Sequence, residues 1–246
     1  MADLHDAIRG FWDADAHTYD ASVSHALSDP LEAAAWRRAL LDALPPPGAT
    51  VLDVGAGTGA LSLLAAELGY EVTALDLSPG MLGRAERKAE ERGLDGLIRF
   101  VVGSATEPPD GPFDAVMERH VLWTVPDPVA ALSRWHEVAG RLVLFEGVWG
   151  QRDLVRRSKE LVAEVLRRMM RTRHDHHAPY PAEVLAKLPL ARLPSPIPLI
   201  ETAQRAGWTG VRIKRLRDVE WAAMLHEPWP LGWLEHRARY ALVADA

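Results

Sequence analysis

The chain has 246 residues, enough for one α/β domain with elaborations and a full hydrophobic core. Its net charge of −6 argues against a nucleic-acid surface as its main business, and the absence of cysteine excludes disulfides, thiolate nucleophiles and Cys-ligated zinc. The N-terminus lacks a signal-peptide apolar core and no segment approaches transmembrane length, so a cytoplasmic protein with no membrane attachment is expected.

In chain order, residues 1–44 read as helices, with "DPLEAAAWRRALLDAL" the strongest, and are expected to form an N-terminal lid. Residues 45–150 alternate strand and helix. The strands are Thr50–Val54, Glu71–Leu75, Ile98–Val102, Phe113–Glu118 and Arg141–Glu146. The helices are Ala60–Leu68, Pro79–Arg92 and Asp127–Ala139. "PPPG" leads into the first strand, and Ser78 before Pro79 is an N-cap followed by a favoured first-turn proline. Residues 151–196 read as a cap over the sheet's carboxyl edge. It opens with an amphipathic helix carrying Leu154, Leu161, Val165 and Met169 on one face and an arginine-rich outer face. Residues 197–246 supply a helix near Leu199–Ala206 and two late runs, Val211–Leu216 and Tyr240–Val243, that finish the sheet as an antiparallel pair. The expected fold is doubly wound α/β: a mostly parallel seven-stranded sheet with helices on both faces, all in one domain.

The segment "TVLDVGAGTGALSLLAAELGYEVTALDLS" carries the chemistry. Gly55-x-Gly57-x-x-Ala60 with Asp76 about twenty residues on satisfies the dinucleotide fingerprint, so the motif alone permits NAD. No Gly-Lys-Ser/Thr follows, which excludes a phosphate-binding P-loop. Asp53, two residues before Gly55, would repel a pyrophosphate and suits a cationic ligand. S-adenosylmethionine is such a ligand, with an ammonium, a sulfonium and no phosphate.

With "VLDVGAGTG", "ALDLSPGML", "RFVVGSATEPPDGPFDAV", "RHVLWTVPDPVAALSRWHEV", "GRLVLFEG" and "ETAQRAGWTGVRI", the sequence resembles the class I, Rossmann-like S-adenosylmethionine-dependent methyltransferases. It is most similar to the small-molecule type of ubiquinone and menaquinone biosynthesis. The resemblance implies S-adenosylmethionine as cofactor and S-adenosylhomocysteine as product. It places Asp53, Gly55, Ala56 and Gly57 at the methionine end, Asp76 on the ribose, and Leu77 and Met81 against the adenine. Where the family often has an acidic residue after the third strand, this chain has Ser104 and Ala105. Arg119 and His120 are implied to face the sulfonium and the acceptor, and Tyr19 resembles a lid tyrosine that closes over the cofactor.

Two readings of His120 stand side by side, a general base for an acceptor hydroxyl or amine and a residue that shapes the pocket. Tyr19 is likewise a catalytic candidate or an interfacial tyrosine. Trp12, Trp123, Trp149, His174, His177 and Tyr180 are candidate acceptor contacts, and Asp175 and His176 beside them do not converge convincingly on a metal, so none is expected. The expected partner is a small-molecule acceptor methylated on nitrogen or oxygen, with carbon a weaker choice; a homodimer is compatible with the sequence. Two alternatives remain open: an enzyme that cyclises or transfers the aminobutyryl chain and releases methylthioadenosine, and a non-catalytic binding protein on the same scaffold.

Overall fold

The computed structural model describes residues 2–21, 23–148, 154–170 and 182–246. Three helices come first: α1 (Ala2–Asp15), α2 (Val23–Ala26) and α3 (Pro30–Ala43). Strands β1 (Thr50–Val54), β2 (Glu71–Asp76), β3 (Ile98–Val102), β4 (Ala115–Arg119) and β5 (Arg141–Gly147) then run parallel. Helices α4 (Ala60–Glu67), α5 (Pro79–Arg92) and α6 (Pro128–Val138) make the crossovers. After β5 come α7 (Leu154–Met170), α8 (Ala182–Leu185), α9 (Ile197–Arg205) and β6 (Thr209–Arg215). Helices α10 (Arg217–His226) and α11 (Leu231–Glu235) precede β7 (Arg239–Asp245), which slots antiparallel between β5 and β6.

The sheet order is β3-β2-β1-β4-β5-β7-β6. The chain runs outward from β1 through β3, then returns to start again at β4, so the two crossovers diverge between β1 and β4. In an open α/β sheet that reversal leaves a crevice at the carboxyl ends of the strands, where ligands sit.

The helix starts follow local chemistry. Asp29, Ser78 and Asp127 each accept an amide hydrogen bond from three residues on (Glu32, 2.9 Å; Met81, 3.1 Å; Ala130, 3.0 Å), and each is followed by proline in the first turn. Alternation along the strands then separates two cores. Val51, Val72, Met117, Val143 and Phe145 pack beneath α3, α4, α5 and α10, with Trp36 and Leu40 from α3. Leu52, Val54, Val116, Leu142 and Leu144 face α6 and α9, with Trp135 and Trp208.

Three elements differ from the sequence-based expectation. Strand β4 begins at Ala115 rather than Phe113, because Asp114 turns its carboxylate onto the Thr50 amide at 2.8 Å and Phe113 makes only an isolated bridge with Ala139. Helices α10 and α11 fill the stretch between the last two strands, where no element was expected. Helix α7 is rotated. Its Ala163 is buried against Leu231 and Leu234 of α11, while Leu161, Val165 and Met169 point to solvent at 59%, 57% and 75% exposure. The inward side is held by arginines instead: Arg156 donates to the His236 carbonyl at 2.8 Å, and Arg167 reaches Glu235 at 3.0 Å and Glu227 at 3.2 Å. The Leu154 side chain lies outside the described residues.

Candidate active site

A cavity of about 780 Å³, its open mouth included, lies at the carboxyl ends of β1, β2 and β4. Gly55 and Gly57 line its floor with φ of +65° and +57°, a left-handed backbone that residues with a Cβ avoid. A Cβ on Gly57 would meet no protein atom within 4 Å, so the open space there belongs to the cavity. At the end of β2, the Asp76 carboxylate accepts from the Gly57 amide (2.7 Å) and the Ser78 amide (2.8 Å). Each oxygen keeps acceptor capacity for a vicinal diol. Burial pushes the Asp76 pKa up, and these amides pull it back down. Beyond Asp76, Leu77, Met81, Ser104, Ala105 and Thr106 line the cavity. Trp135 fastens that wall by donating its indole N–H to the Ala105 carbonyl at 2.7 Å, and Ser104 is engaged locally with Thr106 at 2.8 Å.

The N-terminal helices close the cavity from above with His5, Ile8, Trp12 and Tyr19. Two aspartates pin them down. Asp13 accepts from the Ser78 hydroxyl and from the Gly80 amide (3.2 Å), at the N-terminus of α5. Asp20 accepts from Thr58 Oγ1 (2.6 Å), in the glycine loop, and forms an ion pair with Lys88 Nζ at 3.0 Å. Arg119, at the end of β4, donates to the carbonyls of Ser24 (3.3 Å) and His25 (3.1 Å) and lies 5.4 Å over the Trp36 ring. Its guanidinium therefore serves the lid. Tyr19 stacks on His25 with centroids 4.3 Å apart, edge-on to Trp12; burial raises its phenol pKa above the usual 10.0, so it is a donor at neutral pH.

His120 lines the cavity directly after β4. Its φ of +60° is rare for a residue with a side chain, and such strain collects at functional sites. Nδ1 stands 3.1 Å from Oε2 of Glu146, a residue near the end of β5 that is 2% exposed. Burial first, then Arg119 and Arg239, holds the imidazole pKa well below the usual 6.5. The ring is therefore neutral near pH 7. With the Nδ1 proton directed at the carboxylate, Nε2 is the basic nitrogen of the ring.

Most of the expected residues meet here: Tyr19, Gly55, Gly57, Asp76, Leu77, Met81, Ser104, Ala105, Arg119, His120 and Trp12 all line the cavity. Asp53 does not. It is buried beneath the glycine loop and accepts from Ser62 Oγ at 2.5 Å, because odd positions of β1 face α4 rather than the crevice. Ala56 is also absent from the lining, its amide donating to the Leu75 carbonyl at 3.0 Å, and Trp123 packs against the second core. Trp149, His174, His177 and Tyr180 lie outside the described residues. Among the described residues, 154–170 and 182–196 contribute nothing to the lining. His5, Ile8, Thr124, Val125 and Pro126 join the lining without any sequence signal that marked them. The described residues hold no cluster of metal-ligating side chains, and none of their helices is long and apolar enough to cross a membrane.

Comparison with known proteins agrees with this geometry. A sequence profile described as a methyltransferase domain matches residues 52–142. A demethylmenaquinone methyltransferase of Beutenbergia cavernae is 40% identical over 150 residues, 58% of this chain and 59% of that protein. The chain thus spans less than two thirds of that relative. A ubiquinone biosynthesis O-methyltransferase of Xanthomonas campestris pv. campestris is 31% identical over 225 residues, 89% of this chain and 80% of the relative. Among solved structures, geranyl diphosphate methyltransferase in complex with S-adenosylmethionine superimposes with a TM-score of 0.59 at 20% identity, over 89% of this chain and 93% of that one. A cradle of left-handed glycines without phosphate-binding lysine and a diol-ready Asp76 fit S-adenosylmethionine, and the chain belongs to the class I, Rossmann-like S-adenosylmethionine-dependent methyltransferases.

Proposed function

We propose that the protein transfers a methyl group from S-adenosylmethionine to an oxygen or nitrogen of a small, partly apolar metabolite, with His120 as general base and Glu146 as its orienting partner. The observation that carries this reading is the neutral His120, held in a strained backbone conformation over the cavity and bonded through Nδ1 to a buried carboxylate. Bound S-adenosylmethionine supplies the electrophilic methyl on its sulfonium. Gly55, Gly57 and Asp76 hold the two ends of the cofactor, and Leu77 and Met81 pack on its adenine. Tyr19 and Trp12 close the lid over it and exclude water. His120 Nε2 takes the proton that the acceptor's hydroxyl or amine loses as it attacks, and Glu146 steadies the imidazolium that forms. The apolar side of the lining, Ile8, Trp12, Val125 and Pro126, favours an acceptor with a ring or short hydrocarbon body. The names of the quinone-pathway relatives support phenolic acceptors as the first to try.

The test is product mass spectrometry after incubation with S-adenosylmethionine and a panel of phenols, hydroquinones and amines. S-adenosylhomocysteine and an acceptor heavier by one methylene unit are expected. His120→Asn should cut kcat/KM about 10²–10⁴-fold, the usual worth of a positioned base. The acid limb of the native profile should lie below the ordinary histidine range, because the depressed pKa keeps the active neutral ring to lower pH. Methylthioadenosine without acceptor would replace this reading with attack on the aminobutyryl chain.

A further inference from the structure

We propose that Glu118 is a positioning residue of this site: its carboxyl group clamps the turn after β4 and so sets His120 and the glycine loop together. This rests on the reading of His120 given above for its catalytic half only. Glu118 is fully buried on β4, on the sheet face that carries Glu146 two residues along the neighbouring strand from its register partner Leu144. Its Oε2 accepts from the amides of Val121 (2.7 Å) and Leu122 (3.3 Å). Those two residues follow His120 immediately, so the clamp closes the chain on itself around the left-handed residue.

The same turn reaches the cofactor loop. Val121 Cγ2 lies 2.1 Å from where a Cβ on Gly55 would sit, so the valine fills the space that glycine leaves empty. Displacing Val121 therefore frees the backbone at Gly55, while displacing His120 breaks its 3.1 Å contact with Glu146. One side chain holds both. The other carboxyl oxygen, Oε1, has no hydrogen-bond partner among the described residues. Burial, and then the neighbouring Glu146, push the Glu118 pKa well above the usual carboxylate range. A protonated Glu118 can clamp the amides through its carbonyl oxygen without placing a second negative charge beside Glu146.

The experiment compares Glu118→Gln, Glu118→Leu and Val121→Ala, reading S-adenosylmethionine affinity by calorimetry and the pH profile of methyl transfer, with circular dichroism confirming the fold. Glutamine keeps a neutral acceptor oxygen, so its cofactor affinity should stay within about threefold of the native chain. Leucine should weaken the cofactor about tenfold or more and move the acid limb, because both the loop and the imidazole lose their anchor. If Glu118→Leu does not fold, Val121→Ala decides the matter, since it empties the space over Gly55 and leaves every hydrogen bond in place; weaker cofactor binding is then expected. Cofactor affinity unchanged in Glu118→Leu, or in Val121→Ala where leucine fails to fold, would overturn the proposal. A weakened affinity with a pH profile indifferent to His120→Asn would leave the clamp standing and remove the general base instead.

Discussion

At the scale of single residues, Asp53 shows how a motif position can do work other than the one its spacing suggests. Its place before the glycines pointed to the cofactor, yet the pleat of β1 turns it into the core, where Ser62 is its hydrogen-bond donor. Burial raises its pKa to about 7. The unfolded chain releases this proton near the ordinary aspartate value of 3.8, and the fold holds it to about 7. Stability therefore falls as pH rises through that interval and is flat above it, a loss of about 4 kcal/mol. Asp53→Asn keeps an acceptor for Ser62 and cannot ionise. Its melting temperature relative to the native chain should be little changed at about pH 4 and should climb to a plateau above about pH 7. A difference independent of pH would show that Asp53 is ionised throughout.

At the scale of elements, what the sequence made legible depends on whether an element's surroundings are local. Strands β1, β2, β3 and β5, helices α5 and α6 and the glycine cradle follow from periodicity, caps and turns, all of which act within a few residues. Helix α7 does not. Its apolar stripe is visible in the sequence, but which side faces inward depends on guanidinium partners 68 and 60 residues away, Glu235 and Glu227, and on a helix, α11, too short to announce itself. Likewise His5 and Ile8 reach the cavity only because Asp13 docks α1 on the start of α5. The orientation of α7 has a direct test. Leu161→Glu and Val165→Glu should each change stability by no more than about 0.5 kcal/mol, because both side chains are in water. Ala163→Glu should cost about 2 kcal/mol or more by forcing a carboxylate against Leu231 and Leu234. Urea midpoints of the three variants check this, and the reverse order would mean that the helix sits with its apolar stripe inward.

At the scale of the whole molecule, the cavity is assembled from parts that are far apart in sequence. The lid comes from α1 and the turn at Tyr19–Ala21, the floor from the loop after β1, one wall from the ends of β2 and β3, the other from the turn after β4. The lid reaches the rest through a few polar contacts: Asp13 on α5, Asp20 on Thr58 and Lys88, and Arg119 on the carbonyls of Ser24 and His25. A ligand in this cavity touches all of those parts at once, so its binding free energy must appear as stability of the assembled state. At a cofactor concentration one hundred times Kd the gain is about 2.7 kcal/mol. For a chain of this size that corresponds to a rise in melting temperature of about 5–10 °C. If Tyr19 and Trp12 rest on the bound cofactor as proposed, amide exchange should slow in the lid as well as in the glycine loop. Asp20→Ala cuts the contacts to Thr58 and Lys88 but leaves the hydrogen bond from the Gly57 amide to Asp76, which holds the glycine loop, in place. It should therefore keep protection in the glycine loop while losing much of the ligand-induced protection in the lid. Equal protection of both segments in that variant would mean that the ligand alone, and not the Asp20 latch, holds the lid shut.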